Sequence, residues 1–303
     1  IGLTISQLGS GGAEQQLIRL ACGMHTRGHS VEVMCYGGAS SQDYKLTENG
    51  VRMRTGSGDG WRGKLSSMRR WLQEFEPQVV HGFMKRASSL AVMAGTGCKK
   101  WALIGSDLST ATYNRRSPVL WVSLLAFAGA DRIVTQTELN RASLERLAPW
   151  LKGRTTVIRN GLDMNLFRPA EGTSTKPFRF AVVGTVCRVK NPLNVVRAVQ
   201  LLHARTESEF IVDWYGRLGY QGDNSPSAEY RECRELLATC DLERYFVFHG
   251  EQSVMQPAYQ ASHALLHPSV QEGFPNAVVE GMAAGLPIAV GRVSDLPLVI
   301  ECA

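Results

Sequence analysis

Two glutamates eight residues apart, Glu272 and Glu280, bracket the stretch of this sequence best equipped for chemistry. Residues 264–290 read ALLHPSVQEGFPNAVVEGMAAGLPIAV, which predicts strand, loop, helix, turn and strand in succession. Glu272, Gly273 and Phe274 make a tight loop, and Pro275 suits the first turn of a helix over Asn276 to Ala284. Gly285 ends that helix before Leu286 and Pro287. First-turn amides of such a helix bind an anion, most simply a phosphate. Glu280 follows Asn276 by four residues, so both share one helical face. Spacing alone carries little, because Glu235/Glu243 and Glu243/Glu251 repeat it where about one such pair is expected by chance. Those two pairs fall in a polar, helix-like region and read as solvated. Only Glu272/Glu280 joins a strand end, a Gly-Phe-Pro-Asn loop and a helix start.

A second loop has the makings of a phosphate contact. Gly9-Ser10-Gly11-Gly12 follows a strand and precedes a helix, so its amides can approach an anion closely. It lacks the third glycine of a dinucleotide fingerprint. His81, at the end of the strand Val79-Val80-His81, is a weaker candidate, since a lone His at a strand end is more often structural. Neither half contains an Asp-x-Asp pair, so a bridging divalent metal is not indicated and no metal site is assigned.

These loops need a frame. Residues 1–8, 31–36, 79–81, 102–104 and 132–134 read as strands, with a helix over 13–27. Residues 168–177 (RPAEGTSTKP) have the composition of a linker, after which strands are predicted at 178–183, 210–214, 245–248, 264–267 and 288–290. This β–α rhythm implies an α/β chain of two doubly wound, Rossmann-like domains, residues 1–169 and 170–303, facing across a cleft. The second half stops soon after Val290, where such a fold ordinarily adds a strand and closing helices, so a truncated C-terminal end is expected.

Composition narrows the class. The chain has 303 residues, 44% hydrophobic and 20% charged, enough for two packed domains of about 150 residues. The longest apolar stretch, Val119 to Ala130, is too short for a bilayer span of about 20 residues and predicts a buried helix. No basic-then-apolar leader opens the chain, which begins with Ile. Seven scattered cysteines without C-x-x-C spacing point to reduced thiols and a cytoplasmic location. Residues 1–172 hold 22 Lys+Arg against 13 Asp+Glu, and the remainder 11 against 14. The basic first half suits an anionic partner or simply a soluble surface.

The Glu272–Pro287 stretch resembles the Glu-x7-Glu signature of retaining, nucleotide-sugar-dependent glycosyltransferases of family four. Gly11-Gly12-Ala13-Glu14 resembles that family's N-terminal glycine loop, and Gly28-His29-Ser30-Val31 its first helix exit. Val157 to Asp163, with Phe167-Arg168-Pro169, resembles the segment closing its first domain. The resemblance implies the GT-B fold and a metal-independent, hexosyltransferase-type enzyme. It implies transfer of a sugar from a nucleotide-diphosphate donor to a glycan or lipid-linked acceptor, as in polysaccharide biosynthesis, with no separate cofactor. Glu272 would then contact the donor sugar and Glu280 the nucleotide ribose. Amides of Gly273, Phe274 and Asn276 would hold sugar or diphosphate beside Pro275, and Gly11 and Gly12 would reach the diphosphate or the acceptor.

The family places a Gly-Arg and, five residues on, a Lys against the departing diphosphate. Here Lys190 fits, Thr185 takes the place of the Arg, and Arg188 is the substitute cation three residues later. Ile104-Gly105-Ser106-Asp107 occupies a stretch where many relatives carry a His, and neither Ser106 nor Asp107 can act as an imidazole. These departures motivate the alternative of a catalytically impaired, donor-binding relative. A nicotinamide oxidoreductase is disfavoured by the missing fingerprint, and no basic-aromatic module points to nucleic acid. The basic first half, with Trp61, Trp71, Trp101 and Trp121, permits a phosphorylated or lipid-linked acceptor and peripheral contact with an inner membrane face.

Overall fold

Short β-branched and apolar runs separated by Gly- and Pro-bearing turns become two all-parallel sheets. A computed structural model of the chain describes residues 1–9, 11–38, 42–97, 99–108, 113–172, 177–219 and 225–301. The chain divides into two compact units, Ile1–Gly161 and Leu162–Ala303.

In the first unit, β1 (Gly2–Ile5), α1 (Gly12–Thr26), β2 (Glu32–Cys35), α2 (Tyr44–Thr47) and β3 (Arg52–Thr55) wind one way. Next come α3 (Gly60–Phe75), β4 (Val79–Gly82), α4 (Met84–Gly95), β5 (Ala102–Asp107), α5 (Pro118–Phe127), β6 (Arg132–Thr135), α6 (Glu138–Leu147) and β7 (Thr155–Val157). The strand order is β3-β2-β1-β4-β5-β6-β7. Every residue of β1 and β2 is buried, as parallel strands covered on both faces require. Leu17, Ile18 and Leu46 of α1 and α2 close one face of the sheet. Trp71, Leu90, Phe127 and Leu144 of α3 to α6 close the other.

The second unit comprises β8 (Phe178–Val183), α7 (Pro192–His203), β9 (Phe210–Tyr215), α8 (Ala228–Thr239) and β10 (Phe246–Gly250). It continues with α9 (Gln256–Gln260), β11 (Ala264–His267), α10 (Asn276–Ala283), β12 (Ile288–Val290) and α11 (Leu296–Glu301). Its order is β10-β9-β8-β11-β12. In both sheets the winding reverses once, between β1 and β4 and between β8 and β11. Ligands of such sheets lie beyond the carboxyl ends of the strands at that reversal.

Two features depart from the sequence reading. The units meet at 161/162, not 169/170, because residues 162–169 pack with the second unit. Phe167 is buried edge-on against Tyr259 at 5.8 Å, and a Cβ on Gly285 would stand 3.1 Å from Pro169. Part of the expected linker, residues 173–176, lies outside the described residues. The apolar run from Val119 does form a helix, α5, but only three of its ten residues, Ser123, Leu124 and Phe127, are buried. Among the described residues no helix is long and apolar enough to cross a membrane.

Candidate active site

The reversal point of the second sheet gathers the chemistry. After β8 the chain turns at Gly184, whose φ of +150° a side chain rarely adopts. A Cβ there would meet Lys190 Cε at 2.9 Å, so the lysine stem lies across the glycine. The Trp214 indole donates to the Gly184 carbonyl at 2.7 Å. Gly216 must also be glycine, since its Cβ would fall 2.1 Å from that same oxygen. Arg188 to Lys190 form one 3-10 turn, which ends at Asn191 in left-handed conformation. Asn191 Nδ2 donates to the Pro268 carbonyl at 3.3 Å, and Val270 N donates to the Val189 carbonyl at 2.9 Å. The loops after β8 and β11 are thus tied to each other before any ligand arrives.

That tie sets the key side chains together. Lys190 Nζ donates to Glu272 Oε1 at 2.5 Å. His267 Nε2, at the end of β11, stands 3.0 Å from the same oxygen. Both His267 and Glu272 are largely shielded, with side chains 2% and 12% exposed. Burial opposes ionisation of Glu272, yet His267 and Lys190 outweigh it and hold the carboxyl down at about 2. Glu272 is therefore a fixed anion, and both contacts use Oε1.

The helix α10 starts just beyond. Pro275 is its N-cap and makes no side-chain cap bond. Ser294 Oγ donates to the Gly273 carbonyl at 2.7 Å and fixes the preceding loop. Further along, Tyr259 Oη donates to Glu280 Oε2 at 3.0 Å; Tyr259 is fully buried and Glu280 half-buried. Neither glutamate of the pair points into bulk water. Glu235, Glu243 and Glu251, of the other two pairs, are exposed.

The structure treats the two candidate cations differently. Lys190 is committed to Glu272, whereas Arg188 is exposed and its guanidinium makes no polar contact among the described residues. Sequence reasoning passed over His267, Asn191 and Ser294. The only signal for His267 was its place as the last residue of a strand, and nothing local marked the other two.

In the first unit, Gly11 is the extended N-cap of α1 and Gly12 its first residue, while Ser10 lies outside the described residues. The Glu14 carboxylate folds back against Gly11, so a negative group already neighbours this helix end. Gln16 clasps Gly161 in both directions, with Nε2 donating to its carbonyl at 2.9 Å and Oε1 accepting from its amide at 3.1 Å. Within β4 and β5, His81 Nε2 lies 2.5 Å from Ser106 Oγ, and its buried surroundings lower its pKa to about 4. Asp107 is fully buried. It accepts from Lys85 Nζ at 2.5 Å and from Tyr113 Oη at 2.8 Å. Its backbone carbonyl accepts from Asn140 Nδ2 at 2.8 Å. Ser106 and Asp107 are thus each held in polar contacts of their own.

Two doubly wound, all-parallel units with these strand orders define the GT-B class of fold. HepE of Anabaena, solved in complex with UDP and glucose, has that architecture; its structure matches with a TM-score of 0.82 at 16% identity, covering 98% of this chain and 82% of that one. A family model described as glycosyltransferase family 4 matches residues 10–166, and one described as glycosyl transferases group 1 matches residues 177–302. The chain belongs to glycosyltransferase family 4. Among its curated relatives is a D-inositol 3-phosphate glycosyltransferase of Streptomyces avermitilis, 26% identical over 57% of this chain and 39% of that protein. A UDP-Gal:alpha-D-GlcNAc-diphosphoundecaprenol alpha-1,3-galactosyltransferase of Escherichia coli is 25% identical over 76% of this chain and 62% of that protein. The matched region spans about two fifths of the first relative's length and under two thirds of the second's.

Proposed function

We propose that this chain transfers a hexosyl group from a nucleotide-diphosphate sugar to a hydroxyl acceptor, with retention at the anomeric carbon. The observation that carries the reading is the Lys190–Glu272 pair, set at the reversal of the second sheet beside the start of α10. Family membership and the sugar-nucleotide transferases among the relatives support it.

In this reading the donor diphosphate lies against the α10 amides around Asn276 and the loop of Gly273, Phe274 and Pro275. Lys190 supplies positive charge where the leaving group develops negative charge, and exposed Arg188 adds a second cation. Glu272, ionised and rigid, accepts hydrogen bonds from donor-sugar hydroxyls. Glu280 accepts from the ribose, oriented by Tyr259. Gly11 and Gly12 approach the diphosphate or the acceptor. The bond from the anomeric carbon to the diphosphate oxygen breaks as the bond to the acceptor oxygen forms. The acceptor proton passes to the departing diphosphate oxygen on the same face. Helix amides and cations do this work without a divalent metal.

The acceptor is a glycan or a lipid-linked sugar, the second by analogy with the Escherichia coli relative. Incubation with a panel of nucleotide sugars and acceptors, followed by NMR of the product, tests the assignment. Retained anomeric configuration supports it and inverted configuration rejects the mechanism. Donor binding with neither transfer nor donor hydrolysis would mark a binding protein instead.

A further inference from the structure

Glu272 has two nitrogens against one oxygen, and only one of them is aligned for a hydrogen bond. Lys190 Nζ donates to Oε1 at 2.5 Å, while His267 Nε2 stands 3.0 Å from the same atom. A bare Nε2 would set lone pair against lone pair there, so this nitrogen carries a proton. That proton has no aligned acceptor, for Nε2 is buried without a hydrogen-bond partner among the described residues. A buried donor left short of its acceptor is unfavourable, which marks His267 as a group whose bond forms in another state of the site. Two facts decide which group moves. His267 is fixed in the sheet: it ends β11, pairs in register with Val290 of β12, and its carbonyl accepts from Gly291 N at 3.0 Å. Lys190 lies along Gly184 with its stem from Cγ to Cε, which leaves the terminal ammonium to turn.

We infer that His267 is the positioning residue of Glu272 and takes over its Oε1 when Lys190 turns to the donor diphosphate, a role that rests on the sugar-nucleotide reading above. In the free protein Lys190 holds the carboxylate. A diphosphate offers the ammonium a more highly charged partner, and a glutamate released by its lysine would lose its orientation. His267 then aligns Nε2–H with Oε1 and keeps the carboxylate in place. Oε2 makes no contact of its own among the described residues, so it is the oxygen left to accept from sugar hydroxyls. His267 is too enclosed to reach the sugar and acts through Glu272 alone. The exchange gives one anion two successive holders, a mobile one shared with the leaving group and a rigid one built into the strand.

Imidazole NMR of protein carrying isotope-labelled histidine, titrated with UDP, GDP or ADP, whichever binds, is the experiment. The His267 Nε2–H signal, assigned with His267→Gln, should move downfield as the nucleotide binds and should not do so in Glu272→Gln. This readout is taken on the wild-type protein, so it stands even where His267→Leu fails to fold. By calorimetry, His267→Leu should weaken nucleotide binding several-fold, because Glu272 then competes for Lys190, and should have no such effect in a Lys190→Ala background. In transfer assays His267→Leu should lower kcat about tenfold with donor KM moved less, and His267→Gln, whose amide can donate to Oε1, should recover most of the loss. A His267 signal that ignores the bound nucleotide, or equal weakening by His267→Leu with and without Lys190, overturns the inference and leaves the donor site standing. Failure of all three nucleotides to bind the wild type removes the donor-site reading itself, and the exchange with it.

Discussion

Lys190 Nζ and Glu272 Oε1 stand 2.5 Å apart, joining the loop after β8 to the loop after β11 where the second sheet reverses. In the proposed function this pair of opposite charges faces the donor diphosphate and sugar. Glu272→Gln keeps the shape and removes the negative charge. It should lower kcat/KM for transfer about a hundredfold or more, as removal of a charge-bearing contact to the reacting sugar does elsewhere. Steady-state kinetics on the purified variant reads this directly. Full activity would show that Glu272 does not touch the donor.

The two cations should separate in the same assay. Lys190→Ala removes the charge beside the leaving group and should reduce kcat/KM about a hundredfold. Arg188→Ala, at an exposed position, should raise donor KM several-fold with kcat nearly unchanged, the pattern of a contact equally strong in ground and transition states. A large kcat loss for Arg188→Ala would make it the principal clamp.

Acid should unfold the two units through different groups. An unfolded Glu titrates near 4.3, and Glu272 in the fold near 2. Its ionised form therefore stabilises the protein above about pH 4.5. That contribution, roughly 3 kcal/mol at most, is lost as pH falls through 2. His81 behaves in a higher window. Unfolded, it binds a proton below about pH 6.5, whereas the folded ring stays neutral to about pH 4, so stability falls as pH drops between those values. Thermal unfolding against pH should show a loss from pH 6.5 to 4 that His81→Asn abolishes. Glu272→Gln should flatten only the lower range.

Gly216→Ala should be among the most damaging single-methyl additions in the second unit. The new Cβ would lie 2.1 Å from the Gly184 carbonyl, at a φ of +147° that side chains rarely adopt. Denaturant unfolding should show a loss above about 2 kcal/mol, with Lys190 misplaced and transfer reduced. A stability change below about half a kcal/mol would mean that the Trp214–Gly184 anchor gives way easily.

How much of this was legible beforehand depended on the range of the physical signal. Strands buried on both faces, such as Gly2–Ile5 and Phe210–Tyr215, announce themselves as apolar runs. The edge strands of the first sheet did not. Arg52–Thr55 alternates charge at the rim of the first sheet, and Thr155–Val157 has three residues, so neither offers a periodic pattern. The loop and helix around Glu272 were visible because Gly273, Pro275 and Gly285 punctuate them. His267 and Asn191 were invisible as site residues, because their roles arise only when β8 and β11, distant in sequence, become neighbours. The buried character given to Val119–Ala130 failed for a related reason. Hydrophobicity reports what a helix wants, not which of its sides the rest of the chain covers.

The most direct measurement is calorimetric titration of a panel of nucleotide-diphosphate sugars into the wild-type chain and Lys190→Ala. At least one sugar nucleotide should bind the wild type, and the substitution should weaken that binding tenfold or more. If no sugar nucleotide binds, or if the one that does binds both proteins equally, the loops after β8 and β11 do not form the donor site.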